Sequence, residues 1–340
     1  MKIFNAAVIG CGGISRMHIN ALMQMPNVKI VAVCDIKEDK AAAAAEKTGA
    51  KAYADWHEVV ALKDVDTVHI CLPHYLHAPV AIEALKNGKS VLSEKPMAIT
   101  LDDARAMIKA GDESKGHLGI IFQNRYNSAV VMAKEIIESG EMGAFLGSNA
   151  SVCWLREGAY YTASGWRGSK KTEGCGSLIN QSIHTLDLLS YLGGELVKVR
   201  GKVATWLNAA DIEVEDNAMA VALYKNGGRC VIHTSNNNAV DAPVDIDLYM
   251  EKGTLKLYGP KLFKVVGEEL TELCSGDNKA SAGKTVWGTG HAVQIADYYA
   301  SIEKDEDPVI DGRSAFAALS LVLSIVKSSE EDRWIEIEKV

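Results

Sequence analysis

The opening residues constrain this chain more than any others. Ile3 to Ile9 has the length and apolarity of a buried strand, and Gly10-Cys11-Gly12-Gly13-Ile14-Ser15 breaks it at once. From Ile14 the spacing turns helical, through Ile14, His18, Leu22 and Met25, until Pro26 stops it. Val28 to Cys34 is a second β-branched run and it ends on Asp35. Strand, glycine turn, helix, strand and acid is the layout of a dinucleotide-binding βαβ unit. Gly10 serves the tight turn, and Gly12 lets the backbone approach a pyrophosphate. The helix start at Gly13 and Ile14 offers that anion unpaired N–H groups and a positive dipole end. Ser15 stands where a third glycine is usual and is small enough for close packing. Asp35 suits the adenosine ribose hydroxyls and repels a 2′-phosphate. Ile36 cannot bind phosphate and Lys37 can, so NAD is favoured as cofactor and NADP stays open.

Strands and helices then alternate. Lys37 to Lys47 is a helix closed by Gly49, and Ala50 to Tyr53 is a short strand. Val65 to Leu72 is a strand ending at Pro73, His77 to Lys86 a helix, and Ser90 to Ser93 a strand. Thr100-x-x-Asp103 is a capping box for a helix to about Lys115, and Leu118 to Phe122 is another strand. Such repetition predicts an α/β Rossmann domain over residues 1–124, with a parallel, doubly wound sheet. Ligands of these sheets sit beyond the carboxyl ends of the strands. That rule gathers Gly10–Gly13, Asp35, Leu72, Pro73–His77, Glu94–Pro96 and Gln123–Arg125 on one surface.

Past Arg125 the texture changes. A helix over Ser128 to Ser139 precedes alternating strands at Gly147–Leu155, Val197–Trp206, Ala218–Tyr224, Arg229–Thr234, Val244–Met250 and Thr254–Tyr258. One helix, Leu178 to Leu192, interrupts them, and two more, His291 to Ile302 and Arg313 to Lys327, close the chain. Residues 125–340 are therefore expected to form an α+β domain for substrate binding, with a large open, mostly antiparallel sheet. The last helix is free to pack back on the first domain. An open sheet commonly buries its bare face by self-association, so a homodimer or homotetramer is expected. A net charge of -8 argues against a nucleic-acid partner, and no apolar run is long enough for a membrane span. Seven scattered cysteines and an N-terminus that enters directly into a strand point to the cytoplasm.

Two segments carry candidate chemistry. Glu94-Lys95-Pro96 follows the fifth strand, where a desolvated lysine near an oxidised nicotinamide could take a proton from a substrate hydroxyl. The alternative is a surface lysine at a strand end. Gly174-Cys175-Gly176 feeds a helix on which Asn180, His184 and Asp187 share one face, as a site or as a satisfied core network. Trp166 and Arg167 could clamp the cofactor by stacking and charge, or belong to an ordinary loop. His74, Tyr75, Arg125, Tyr126, Trp154, Arg156, Tyr160 and His291 are candidates to line a substrate pocket. His69, Cys71, His74 and His77 lack a carboxylate to complete a metal set, so no metal is expected.

Together these motifs resemble the Gfo/Idh/MocA oxidoreductases, relatives of glucose–fructose oxidoreductase and inositol dehydrogenase. The similarity rests on the glycine turn, Asp35, Pro73-x-x-x-His77, Glu94-Lys95-Pro96, Gly174 to Asp187 and the helix after Gly312. It implies NAD(P) as cofactor, hydride transfer at a carbinol carbon of a sugar, sugar derivative or inositol-like polyol, Lys95 as the catalytic lysine and His184 as the catalytic histidine. The family's dehydrogenases usually carry aspartate four residues before that histidine, where this chain has Asn180. An amide orients a hydroxyl but neither holds negative charge nor accepts a proton. Lys95 or His184 is then left as the acid/base. Two other outcomes fit the same motifs: redox-neutral, NAD-assisted glycoside cleavage or epimerisation, and a nucleotide-sensing regulator without catalysis.

Overall fold

The computed structural model describes residues 2–276 and 290–340. The chain divides into two compact units. Residues 2–123 and Gly290–Phe316 form the first, and residues 124–276 with Ala317–Val340 form the second.

Unit one is built on β1 (Phe4–Ile9), α1 (Ser15–Met23), β2 (Val28–Cys34), α2 (Glu38–Thr48), β3 (Lys51–Tyr53), α3 (Trp56–Ala61), β4 (Thr67–Ile70), α4 (His77–Lys86), β5 (Ser90–Ser93), α5 (Leu101–Asp112) and β6 (Leu118–Ile120). The six strands are parallel in the order β3-β2-β1-β4-β5-β6, which reverses direction at β1 and β4. The inner strands β1, β4 and β5 are buried along nearly all their length, as strands covered on both faces are. The capping box forms: Thr100 Oγ1 accepts from the Asp103 N–H at 3.1 Å and starts α5. The late helix Gly290–Glu303 belongs to unit one because Ile295, Tyr298, Tyr299 and Ile302 join the core of Phe4, Val8, Ile19 and Leu22. The six-residue α3 was missed here, too short to show a period.

Unit two holds α6 (Ser128–Ser139), β7 (Phe145–Cys153), α7 (Gly158–Thr162), α8 (Ser177–Asn180), α9 (Ile183–Gly193), β8 (Leu196–Ala204), β9 (Asn217–Tyr224), β10 (Arg229–Ser235), β11 (Asp245–Met250), β12 (Gly253–Tyr258), β13 (Lys261–Val266), β14 (Glu269–Cys274) and β15 (Ile335–Glu336). Counting Gly290–Glu303 as α10, the last helix, α11 (Gly312–Glu331), begins in unit one and continues into unit two. Nine strands form one sheet, β14-β13-β12-β11-β7-β10-β9-β8-β15, antiparallel except for the β7–β10 pair. Alternation in β9 and β10 turns Cys230, Ile232, Ala220 and Ala222 inward and leaves Met219 and Val231 exposed.

Two expectations need correction in unit two. The strands β13, β14 and β15 were not foreseen, since β14 is solvent-facing along most of its length and shows no alternation. The helix expected over Leu178–Leu192 is broken into α8 and α9. At the break the Ser182 N–H reaches back five residues to the Ser177 carbonyl, a π-type turn that propensity does not register.

Gly10 has φ +93°, and a Cβ there would lie 2.3 Å from the Cys71 carbonyl oxygen, whereas one at Gly13 would meet nothing within 4 Å. Gly10→Ala should therefore destabilise unit one by more than about 2 kcal/mol, and Gly13→Ala by less than about 0.5 kcal/mol. Denaturant melts of the two variants check this, and equal losses would contradict it.

Candidate active site

The carboxyl edge of the parallel sheet gathers the candidate residues of unit one. Gly10 leaves β1 with its N–H on the Cys34 carbonyl at 2.7 Å, which ties the turn to the end of β2. Asp35, one residue past β2, braces the turn from outside: Oδ2 accepts from the Cys11 N–H at 2.9 Å and Oδ1 from the Lys37 N–H at 2.8 Å. Ile14 precedes α1 without a side-chain cap, and Ser15 turns its hydroxyl onto the Gly12 carbonyl. The first N–H groups of α1 thus face open space over Gly12 and Gly13. A dinucleotide pyrophosphate fits that cradle, because nothing of the protein fills it. Ile36 stands 84% exposed beside it.

The ends of β4 and β5 are tied together by His77. Its Nδ1 lies 2.7 Å from the Pro96 carbonyl and its Nε2 2.7 Å from the Leu72 carbonyl, and burial holds its pKa below the ordinary value. Both ring nitrogens are committed to main chain, so His77 shapes the loops of Leu72, Pro73 and Lys95 and offers no nitrogen to a cofactor. The Lys95–Pro96 peptide is cis. Lys95 is half-buried and follows Glu94, which is buried. Gln123 is buried at the end of unit one, and His74 is buried while Tyr75 is exposed. His291 is a buried residue of unit one, with Nε2 3.3 Å from Glu94 Oε1.

Unit two carries the second set of side chains. Glu173 is fully buried, and its carboxylate accepts from the Gly168 N–H at 2.6 Å and from Asn180 Nδ2 at 2.5 Å. Asn180 is therefore held by a carboxylate that sequence reasoning did not single out. Tyr160 accepts from Gln181 Nε2 at 3.0 Å and lies between two cations, with Arg167 4.6 Å and Arg156 5.4 Å from its ring. Arg167 also sits 4.6 Å from the Trp166 ring, and Arg156 donates to Asp241 at 2.7 Å. Trp154 is buried and donates to the Ala242 carbonyl. Asn180 and His184 are half-buried, one on each side of the helix break, and Tyr126 is half-buried as well.

The third polar residue of that helix has a different task. Asp187 is buried and takes a bidentate bond from Arg125, Nε to Oδ2 at 2.7 Å and Nη2 to Oδ1 at 2.5 Å. Arg125 also lies 4.8 Å from the Tyr191 ring. The expectation of Arg125 as a charge for substrate is thus met by a guanidinium already paired inside unit two, and the Asn180–His184–Asp187 face divides into two functions.

A cavity of about 710 Å³ opens in unit one beside Lys115–Leu118, at the amino ends of the strands and opposite to the glycine turn. On its walls Arg313 pairs with Asp112, and His117 meets Asp305 and Asp307. Among the described residues no group of three or more His, Cys, Asp or Glu gathers as a metal site.

Glu215 caps the glycine turn from within: Oε2 accepts from the Gly176 N–H at 2.8 Å and Oε1 from the Leu178 N–H at 2.9 Å. Burial pushes its carboxyl up to about 7 against those two bonds, with Glu173 adding to the rise. A carboxyl with a raised folded-state pKa stabilises below its ordinary value and loses that contribution as pH rises through about 7. Wild-type unit two should lose up to about 3 kcal/mol relative to Glu215→Gln across that window. Melting both proteins along a pH series checks it, and a pH-independent difference would contradict it.

Residues 4–122 match the family described as oxidoreductase family, NAD-binding Rossmann fold, and residues 130–256 match the GFO/IDH/MocA C-terminal domain. Inositol 2-dehydrogenase of Salmonella typhimurium is 30% identical over 256 residues, covering 74% of this chain and 73% of its own. Levoglucosan dehydrogenase of Pseudarthrobacter phenanthrenivorans is 27% identical over 270 residues, 70% of this chain and 68% of its own. The WlbA dehydrogenase of Bordetella pertussis, solved with NADH and UDP-GlcNAcA, superposes with a TM-score of 0.87 at 28% identity over 100% of both chains. With both domain matches on one chain, around a parallel sheet edge that carries the glycine turn and Asp35, this chain belongs to the Gfo/Idh/MocA family of NAD-binding oxidoreductases.

Proposed function

We propose that the chain is a dehydrogenase that transfers hydride between nicotinamide and a carbinol carbon of a sugar, a sugar derivative or a cyclic polyol, with NAD as cofactor and NADP tolerated. The observation that carries this reading is the placement of Glu94-Lys95-Pro96 at the carboxyl end of β5, on the same sheet edge as the glycine turn and Asp35. Relatives named for inositol and levoglucosan, and a neighbour solved with a nucleotide sugar acid, support the substrate class.

Bound nicotinamide supplies the hydride acceptor. Lys95 takes the hydroxyl proton at Nζ. His184 hydrogen-bonds the same hydroxyl, and Asn180, steadied by Glu173, orients the ring. Gly12, Gly13 and the start of α1 bind the pyrophosphate, Asp35 the adenosine ribose, and Trp166 with Arg167 the remaining cofactor phosphate charge. The protein works as a homo-oligomer in which a second copy covers the outward sheet face of Met219, Val231 and Tyr249, each more than 40% exposed. It works in a reducing compartment, consistent with seven free cysteines, and no helix among the described residues is long and apolar enough to cross a membrane.

Nicotinamide absorbance on purified protein, with inositols, aldoses, sugar acids and nucleotide sugars, tests the activity. Lys95→Ala should lower kcat roughly a hundredfold to ten-thousandfold on whichever substrate responds, while NAD still binds. Wild-type turnover by that variant would remove Lys95 from the mechanism.

A further inference from the structure

We propose that Glu173 is a positioning residue that acts through Asn180. The two side chains form one carboxyl–amide pair, and position 180 accepts a carboxyl only where position 173 gives up its own. The inference rests on the proposed function, in which Asn180 orients the substrate ring.

Both residues belong to unit two. Glu173 ends a loop that closes on itself: its N–H reaches the Ser169 carbonyl at 2.9 Å, and Thr172 Oγ1 donates to the Trp166 carbonyl at 2.6 Å. One oxygen of its fully buried carboxyl takes the Gly168 N–H at 2.6 Å. That donor is main chain, and its place is set by tight packing: Gly168 has φ +82°, and a Cβ there would lie 2.8 Å from Ile212 Cγ2. The other oxygen lies 2.5 Å from Asn180 Nδ2. Asn180 ends α8, a helix of four residues, and the π-type turn at Ser182 follows it. So short a helix gives its last side chain little support, and Glu173 ties that side chain to the loop of Trp166 to Thr172.

Donors and acceptors link the two positions. The Gly168 N–H demands an acceptor at position 173. The second oxygen accepts when the carboxyl is ionised and donates when it is neutral. An amide at position 180 answers either state, because it carries both a donor and an acceptor. A carboxyl at position 180 does not. Two carboxyls in buried contact cannot both ionise, so they keep a proton between them. Glutamine at 173 with aspartate at 180 restores the match: the glutamine oxygen accepts from Gly168, and its N–H groups meet the carboxylate.

Facing Glu173 are Tyr160 and Tyr161 from α7, Cys175 in the glycine turn and Glu215 ahead of β9. Burial pushes both phenols and the thiol up, so they stay uncharged. Arg167 lies 4.6 Å from the Tyr160 ring. Tyr160 Oη is 3.4 Å from Asn180 Nδ2 and accepts from Gln181 Nε2 at 3.0 Å. A shift of the side chain at position 180 is therefore passed on to the groups around Tyr160.

The test places Asn180→Asp in two backgrounds of the full chain, wild type and Glu173→Gln. The readouts are kcat/KM on whichever sugar or polyol responds and the melting temperature, both along a pH series. In the wild-type background the substitution should lower kcat/KM about tenfold or more, and in the Glu173→Gln background less than about threefold. A proton shared by two carboxyls means a raised pKa in the folded state, so the stability it gives is present at acid pH and lost as pH rises. The melting temperature of Asn180→Asp should therefore fall below that of the double variant toward alkaline pH. Equal costs in both backgrounds, failure to fold in both included, overturn the proposal. A gap in melting temperature without one in kcat/KM also overturns it, since the pair is then a structural contact alone. Wild type that turns over nothing on the panel overturns the dehydrogenase reading, and the melting series by itself then decides whether the two positions are coupled.

Discussion

The backbone of Gly10 passes so close to the Cys71 carbonyl that no side chain fits between them, and the rest of unit one depends on that approach. It joins the end of β1 to the end of β4, the two strands at which the order of the sheet reverses. With the turn pinned there, α1 starts at a defined point with its first N–H groups uncapped by side chains. Asp35 then fixes the turn from the β2 side. A site for an anionic ligand follows from backbone geometry, with few side chains spent on it.

The same edge shows how a buried polar network replaces solvent. His18 in α1 and His69 in β4 are fully buried, where an isolated imidazole would leave nitrogens unsatisfied. Here each nitrogen of His18 and His69 finds a partner, and the network ends on Glu94. Unit two solves its problem with carboxylates: Glu215 takes up N–H groups of Gly176 and Leu178, and Glu173 accepts from the Gly168 N–H and holds Asn180. Arg125 and Asp187 close a separate pair that anchors α9.

Much of unit one was legible in the sequence because its signals are local. A strand, a glycine turn and a helix in sequence leave few foldings for residues Ile3 to Asp35, and Thr100 with Asp103 marks a helix start within four residues. The partners of His18 were not legible, since they lie 51 and 76 residues away in sequence. The signal that could have found them is the position of the two histidines, His18 on the Ile14–Leu22 stripe of its helix and His69 in a central strand. The break between α8 and α9 escaped notice because its residues keep helical backbone angles. Nor could the spacing of Asn180, His184 and Asp187 reveal that Asp187 faces Arg125, a pairing 62 residues apart.

The measurement that tests the central claim most directly is a crystal structure of the chain grown with NAD. The account predicts the pyrophosphate on the N–H groups of Gly12, Gly13 and the start of α1, the adenosine ribose at Asp35, and the nicotinamide beside Lys95. A dinucleotide bound elsewhere on the chain, or one whose nicotinamide lies away from Lys95, would contradict it.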